Sequence, residues 1–405
     1  MIPKRIFSVW LSSDGSMPDV IRRCIESQKI PGYEHVLVTL DNMDEEFRNS
    51  RYMQEAFKSP HWDGIKYCKM SDYLRMRYLY KYGGIYLDAD VSVLPGRSFD
   101  HILENGMFAA RENNGFIGTA TVAAQKGHPF IGMWIDAAET RFRGDDDKNF
   151  ESSMEILTRG YNEWAYLARD FRLYPTATFF PYDHQRGTVE VNPNTISFHH
   201  FTKTWTDAAK DVLPRVSIVL PTLGREEGLR KCLKSIDELY YPWHLIETIV
   251  LDGEGTVPVK IKKGVEQARG DVIVYAANDM VFEPESLALA VQECQKTKGL
   301  VAFGGRAITP DEGNICEHFV IHKDLIPHLE NGEVFSTDFH HAGCDNWLWA
   351  QAKKLGKATL CQEAIVHHYH FSTGGTQDEV YAKGWSRIAE DRLVLKEKLE
   401  ALNGL

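Results

Sequence analysis

The sequence predicts an α/β chain of two tandem domains, residues 1–213 and 214–405, each built on a Rossmann-like, mostly parallel sheet. Three observations lead there. At roughly 150 residues per domain, a length of 405 residues points to two domains or three. Each half opens on a short apolar run (residues 5–10 and 216–220) and then repeats strand, loop, helix, strand. Each half also sets a polar, carboxylate-bearing pair just past a buried strand that follows a helix and a glycine: Asp88-Ala-Asp90 in the first, Asn278-Asp279 in the second. The polar stretch 206–214 separates the halves.

The elements follow in order. In the first half residues 20–28 read as a helix and 36–40 as a strand ending at Asp41. Residues 70–82 form a second helix, because Tyr73, Leu74, Tyr78 and Leu79 recur at helical spacing. Gly83-Gly84 ends it, and the strand 85–87 runs straight into Asp88. In the second half the helix 228–239 precedes a strand, 247–251, that ends at Asp252-Gly253. The helix 259–269 then leads through Gly270 to the strand 272–276. The tail, 385–402, is a charged amphipathic helix suited to packing on the domain.

Composition narrows the function classes. Apolar residues at 43% and charged residues at 25% describe an ordinary globular chain. A net charge of −11 opposes nucleic acid. No apolar run approaches the roughly 18 residues that span a bilayer. The first ten residues have too short an apolar core, and no small-residue cleavage site, for a signal peptide. The seven cysteines are scattered and never spaced C-x-x-C, which argues for a reducing compartment and against a disulfide framework or zinc ribbon. The expectation is a cytoplasmic protein, with room for peripheral contact at the inner face of a membrane.

Open parallel sheets bind ligands beyond the carboxyl ends of their strands, where Asp88 and Asp90 lie. Alternation along an extended segment puts both carboxylates on one side and Ala89 on the other. Two such carboxylates repel and call for a cation, a shared proton or a basic partner. A hard divalent ion, Mg²⁺ or Mn²⁺, that also holds a diphosphate is the simplest account. The surrounding residues are more specific. Ser71-Asp72-x-x-Arg75, followed by Tyr82-Gly-Gly-Ile-Tyr-Leu-Asp-Ala-Asp90, resembles the DXD region of family 32 glycosyltransferases and the glucosyltransferase domain of large clostridial toxins. Ile2-Pro-Lys-x-Ile6 with Val9-Trp10 matches that family's first strand. The resemblance covers residues 1–95 and runs more loosely to Trp205. It implies a GT-A fold and a retaining transfer from a nucleotide-sugar, with UDP as the nucleotide. By position, Trp10 would stack on the base, while Asp72, Arg75 and Tyr86 would hold the donor. Asp88 would contact ribose, sugar or metal, and Asp90 the metal. Arg75 and Asp88 are the catalytic candidates of this half. One of His199-His200, taken as His200, would complete the metal shell, and Thr204-Trp205 would cap the diphosphate.

In the second half, Val216-Ser-Ile-Val-Leu-Pro-Thr222 with Arg225, then Leu251-Asp-Gly253, then Asn278-Asp279, resembles family 2 glycosyltransferases. These also have a GT-A fold but invert. The resemblance covers residues 215–375. It implies that Pro221, Thr222 and Asp252 line the base pocket, with Arg225 and Asn278 also on the donor. Asn278 stands where the family usually has an aspartate, leaving Asp279 as the metal carboxylate. Gly343-Cys-Asp345, running into a helix, matches the family's acidic motif, with Cys344 in place of a glutamate. Asp345 would be the general base, because inversion needs a carboxylate beside the attacking hydroxyl. Val366-His-His-Tyr-His370 matches the late metal histidine, with His368 preferred and His370 second. Eight of the sixteen histidines lie between His318 and His370. A zinc site is the minor alternative, since His318-x-x-x-His322 lacks the acidic partner of the helical motif.

The leading functional expectation is a bifunctional, metal-dependent transferase acting from nucleotide-sugars on a growing surface glycan or glycolipid. Two enzymes on one chain suit consecutive steps, because tethering raises the local concentration of the intermediate. A second reading keeps only the first half as an enzyme and makes the second a donor- or acceptor-binding module. A third, transfer of sugar to modified DNA or to protein, is opposed for DNA by the net charge.

Overall fold

The computed structural model describes residues 1–58, 65–141, 152–164, 166, 169–202, 212–305, 316–369 and 386–404. The chain divides into two compact units, Met1–Asp211 and Val212–Leu405. Both are α/β, and each has its own mostly parallel sheet. Among the described residues no helix is long and apolar enough to cross a membrane.

The first unit begins with β1 (Arg5–Val9), β2 (Glu34–Val38), β3 (Gly84–Leu87) and β4 (Val91–Val93). It continues with β5 (Met107–Ala110), β6 (Thr121–Ala124) and β7 (Phe171–Tyr174). The main sheet has the order β2-β1-β3-β6-β5-β7. Its strands run one way except β6, which is antiparallel to both neighbours. β8 (Tyr182–Asp183) and β9 (Thr188–Val189) form a ribbon, and β10 (Ser197–His199) pairs antiparallel with β4. Strand alternation splits the core between the two faces of the sheet. Phe7 and Tyr86 point into a cluster with Tyr73, Leu74, Tyr78 and Trp134. Ile6, Ile85 and Leu87 point into another with Phe99, Phe108 and Phe179.

The helix Lys66–Tyr82 buries Met70, Tyr73, Leu74, Arg75, Met76, Tyr78 and Leu79. Full burial of each large apolar side chain of this kind is worth about 1.5–3 kcal/mol. Gly83 and Gly84 are required where the helix turns into β3. Their φ angles are 68° and 130°, and added Cβ atoms would lie 2.5 Å from the Lys126 nitrogen and 2.6 Å from the Arg5 oxygen.

The second unit repeats this plan. Its strands are β11 (Val216–Pro221), β12 (Ile246–Leu251), β13 (Val272–Tyr275), β14 (Met280–Phe282), β15 (Leu300–Gly304), β16 (Phe319–His322) and β17 (Ala358–His368). The order is β12-β11-β13-β16-β15-β17-β14, with β16 reversed as β6 is. The helices Glu226–Asp237 and Val257–Gln267 follow β11 and β12, and the helices Cys344–Lys354 and Ile388–Asn403 pack on each other. The terminal helix, Ile388–Asn403, thus overlaps the span expected for it, although residues 370–385 lie outside the described chain.

One local expectation needs correction. Asp88 to Asp90 is a turn rather than extended chain, closed by the Val91 amide donating to the Asp88 carbonyl at 3.0 Å. His318 and His322 bracket a strand, not a helix, so four-residue spacing does not put them side by side. His322 instead faces Lys298 at 2.9 Å.

Candidate active site

In the first unit the acidic turn connects β3 to β4. Its backbone is braced by Gln28, whose side-chain amide donates to the carbonyls of Asp88 (3.0 Å) and Val91 (2.7 Å). Because β10 lies antiparallel to β4 with His199 opposite Val91, the His199 ring falls beside the turn. Its Nε2 is 3.2 Å from Asp90 Oδ1. Asp88, Asp90 and His199 each offer one ligand atom within 4.8 Å of the others, the one such trio among the described residues. His200 was expected there. Strand alternation turns its ring the other way, onto Ser92 Oγ at 2.9 Å, while its amide donates to the Asp90 carbonyl. Thr202 donates to Asp90 Oδ2 through both its amide and its hydroxyl.

Arg75 is the buried cation of this site, 4% exposed. Its Nη2 lies 2.8 Å from Asp72 and 2.9 Å from Asp88, and its Nη1 donates to Thr119. The guanidinium also stacks over the Tyr86 ring at 4.6 Å. Burial works against this charge, but Asp88, Tyr86 and Asp72 outweigh it and hold the pKa above the ordinary guanidinium value. Burial pushes the Asp72 carboxyl up. Asp90 is held below the usual carboxylate range, where the adjacent His199 overcomes desolvation, and His199 is raised by the same pairing. Tyr86 is fully buried and donates to Asp88 at 2.8 Å, so it holds that carboxylate from behind. Trp10 donates to the Ser16 carbonyl and packs with Ala89, Ile21 and Ile25 beside the turn. Glu112, unremarked in the sequence, is a buried carboxylate raised by desolvation, with His199 and Asp88 in electrostatic reach. Trp205 lies outside the described residues.

In the second unit a cavity of about 710 Å³ opens beyond β11 and β13. It is lined by Pro221, Thr222, Arg225, Asn278, Asp279, Asp345 and His368 among others. The geometry of the first unit recurs. Asp279 ends the turn from β13 to β14, and β17 lies antiparallel to β14 with His368 opposite Met280. His368 Nε2 is 3.3 Å from Asp279, and its Nδ1 is 3.4 Å from Glu317, a carboxylate with no motif to announce it. Burial lowers the basicity of His368, but the two carboxylates prevail and raise its pKa to about 9. Asp279 also pairs with Arg225 Nη1 at 3.1 Å. Asn278 donates to Thr222 Oγ1 at 2.8 Å.

Asp345 sits in the first turn of the helix Cys344–Lys354, behind Gly343 in the left-handed conformation. The preceding loop is gripped by Asp391, whose carboxylate accepts the amides of His340 (2.7 Å), His341 (2.9 Å) and Ala342 (2.8 Å). Cys344 is buried and donates to the His341 carbonyl. Buried Lys260 ties the Thr222 carbonyl (2.7 Å) to that of Gly253. Asp252, expected in the base pocket, is exposed and is not among the residues lining the cavity, whose wall takes up Glu254 to Val257 from the same loop instead. His370 lies outside the described residues.

Comparison with known proteins places residues 1–143 in a match to the family described as capsular polysaccharide synthesis protein. Inositol phosphoceramide mannosyltransferase 3 of Schizosaccharomyces pombe is 32% identical over 135 residues, 32% of this chain and 35% of its own length. The chain therefore spans about a third of that curated relative. Among solved structures, PaToxG glycosyltransferase is 19% identical over 42% of this chain and 73% of its own, with a TM-score of 0.30. The mannosyltransferase PcManGT from Pyrobaculum calidifontis, in complex with GDP-Man and Mn²⁺, is 18% identical over 49% and 77%, with a TM-score of 0.31. S. aureus TarS is 12% identical over 37% and 35%, also with a TM-score of 0.31.

Proposed function

We propose that the chain is a glycosyltransferase that moves sugars from nucleotide-sugars onto a surface glycan, with a donor site of GT-A type in each unit. The observation that carries this reading is the trio Asp88, Asp90 and His199 beside buried Arg75 at the carboxyl end of β3. The capsule-synthesis match and the yeast mannosyltransferase support it.

Two carboxylate oxygens and an imidazole nitrogen suit Mn²⁺ or Mg²⁺, which Asp88, Asp90 and His199 would hold. When bound, such an ion offsets the charge of a diphosphate leaving group. Arg75 keeps Asp88 oriented and, with Asp72, faces the donor sugar. The first unit retains configuration: the acceptor hydroxyl enters on the face the diphosphate leaves, and its proton passes to the departing phosphate. The second unit inverts. The acceptor oxygen attacks C1 from the far face, the bond from C1 to the diphosphate breaks, and Asp345 takes the hydroxyl proton. The competing reading, a second unit that binds without catalysing, draws on Asn278 and Cys344, which replace two acids. The sequence favours UDP-sugars, and the named activity of the yeast relative adds mannosyl donors.

The test is sugar release and transfer by the full-length chain with Mn²⁺ across UDP- and GDP-sugars. Asp90→Asn should remove one activity. Asp345→Asn should remove the other while leaving nucleotide affinity unchanged. Transfer by the Asp345 variant at the wild-type rate would reject the base assignment, and no turnover of any donor would reject the reading as a whole.

A further inference from the structure

In the second unit the described side chains around Asp279 do not fit the metal expected there. Asn278 carries no charge. It is 6% exposed, and its amide nitrogen is spent on Thr222 Oγ1 and, at 3.4 Å, on the Gly224 carbonyl. Asp279 Oδ2 faces Arg225 Nη1 at 3.1 Å, and Oδ1 faces His368 Nε2 at 3.3 Å. Among the described residues, no trio of ligand atoms in this unit converges as Asp88, Asp90 and His199 do in the first, although the two turns hold the same topological place. A guanidinium cannot shed its proton. An ion bound at Asp279 would therefore share the site with a fixed positive charge.

The Arg225 backbone supports a built role for that charge. It sits at φ 59°, ψ 50°, in the left-handed region that disfavours a residue with a Cβ. The conformation places Arg225 at the head of the helix Glu226–Asp237 and in the cavity wall beside Thr222, Asn278 and Asp279. Buried Lys260, its ammonium held by the Thr222 and Gly253 carbonyls, adds a second positive charge to the wall beside half-buried Arg225. A guanidinium is the side chain best shaped to grip phosphate oxygens through two parallel N–H donors.

We infer that the second unit binds a nucleoside diphosphate without a divalent cation, with Arg225, oriented by Asp279, doing the neutralising that an ion does in the first unit. This rests on the reading of the second unit as a nucleotide site. It divides the chain into one metal-dependent and one metal-independent half.

The experiment is titration calorimetry of UDP and GDP into the full-length chain carrying Asp90→Asn, first in EDTA and then in Mn²⁺. One site per chain is expected in EDTA, with a Kd within about threefold of its value in Mn²⁺. Adding Arg225→Ala should weaken it by about tenfold or more, and Arg225→Lys, which keeps charge without the fork, by less. Circular dichroism and thermal melting establish that each variant is folded. Binding that tightens tenfold or more on adding Mn²⁺ overturns the inference, as does unchanged affinity in a folded Arg225→Ala protein. No binding in either buffer rejects instead the nucleotide reading on which it rests.

Discussion

His199 and His200 are neighbours in sequence with opposite placements. Parity on β10 decides between them. The residue opposite Val91 turns its ring toward Asp90, and the next turns its ring onto Ser92. His368 holds the corresponding position opposite Met280 in the second unit, so the same parity brings it to Asp279. If His199 supplies the nitrogen ligand, His199→Gln should lower Mn²⁺ affinity and metal-dependent turnover by more than the 10–100-fold typical of losing a supporting partner. His200→Gln should cost less than about tenfold, since it removes one hydrogen bond outside the trio. Manganese titrations of both variants decide the matter, and equal losses would refute the assignment. Two adjacent histidines in sequence leave this choice open, because register between two strands more than a hundred residues apart is a tertiary fact. Gln28, Thr202, Glu317 and Lys260 were missed for a related reason. Each acts through contacts with residues distant in sequence and belongs to no local pattern.

At the scale of elements, the strands that lead into the acidic pairs, 85–87 and 272–276, were legible because a strand buried on both faces reads as an unbroken apolar run between turn signals. Gly83-Gly84 ends the helix for a steric reason, close approach to the Lys126 and Arg5 backbones. The terminal helix was legible as amphipathic, but its task was not. Asp391 lies on it, nearly fully buried, and satisfies three consecutive amides of the loop before Asp345. Lys398, farther along, reaches both Glu330 and Asp338. Leu395 packs over Gly343, whose left-handed φ of 85° begins the helix that carries Asp345. Replacing the carboxylate by Asn presents N–H donors to N–H donors. Asp391→Asn should therefore destabilise the chain by about 1–3 kcal/mol, the cost of leaving buried groups unsatisfied. If the loop positions the base, kcat for transfer by the second unit should fall while nucleotide Kd stays level, and Asp391→Glu should restore part of it. A matched loss of nucleotide affinity would mean that Asp391 supports the whole unit and not the base in particular.

At the scale of the molecule, the two units share a strand order, a reversed strand at the same place, and a histidine strand paired to the segment after the acidic turn. That recurrence argues for two ligand sites of one kind. It also sharpens the contest between a bifunctional enzyme and an enzyme with a binding module, because both allow two nucleotide sites and only the first allows two turnovers. Calorimetry on the wild-type chain in Mn²⁺ should give two nucleoside diphosphates per chain, falling to one with Asp90→Asn. Saturation should raise the stability of the occupied unit by about 2.7 kcal/mol at a hundredfold excess over Kd, visible as a shift in its thermal transition. A wild-type stoichiometry of one that Asp90→Asn abolishes would leave the second unit without a donor site, refute both the bifunctional enzyme and the donor-binding module, and leave the acceptor-binding module. A stoichiometry of two, with sugar transfer that vanishes in Asp90→Asn even when the first unit's product is supplied as acceptor, would identify the second unit as a binding module. Transfer that persists in that variant and then disappears on adding Asp345→Asn would assign the second chemistry to the second unit, because Asp345 has no counterpart in the metal trio and can act only where its own cavity holds a donor.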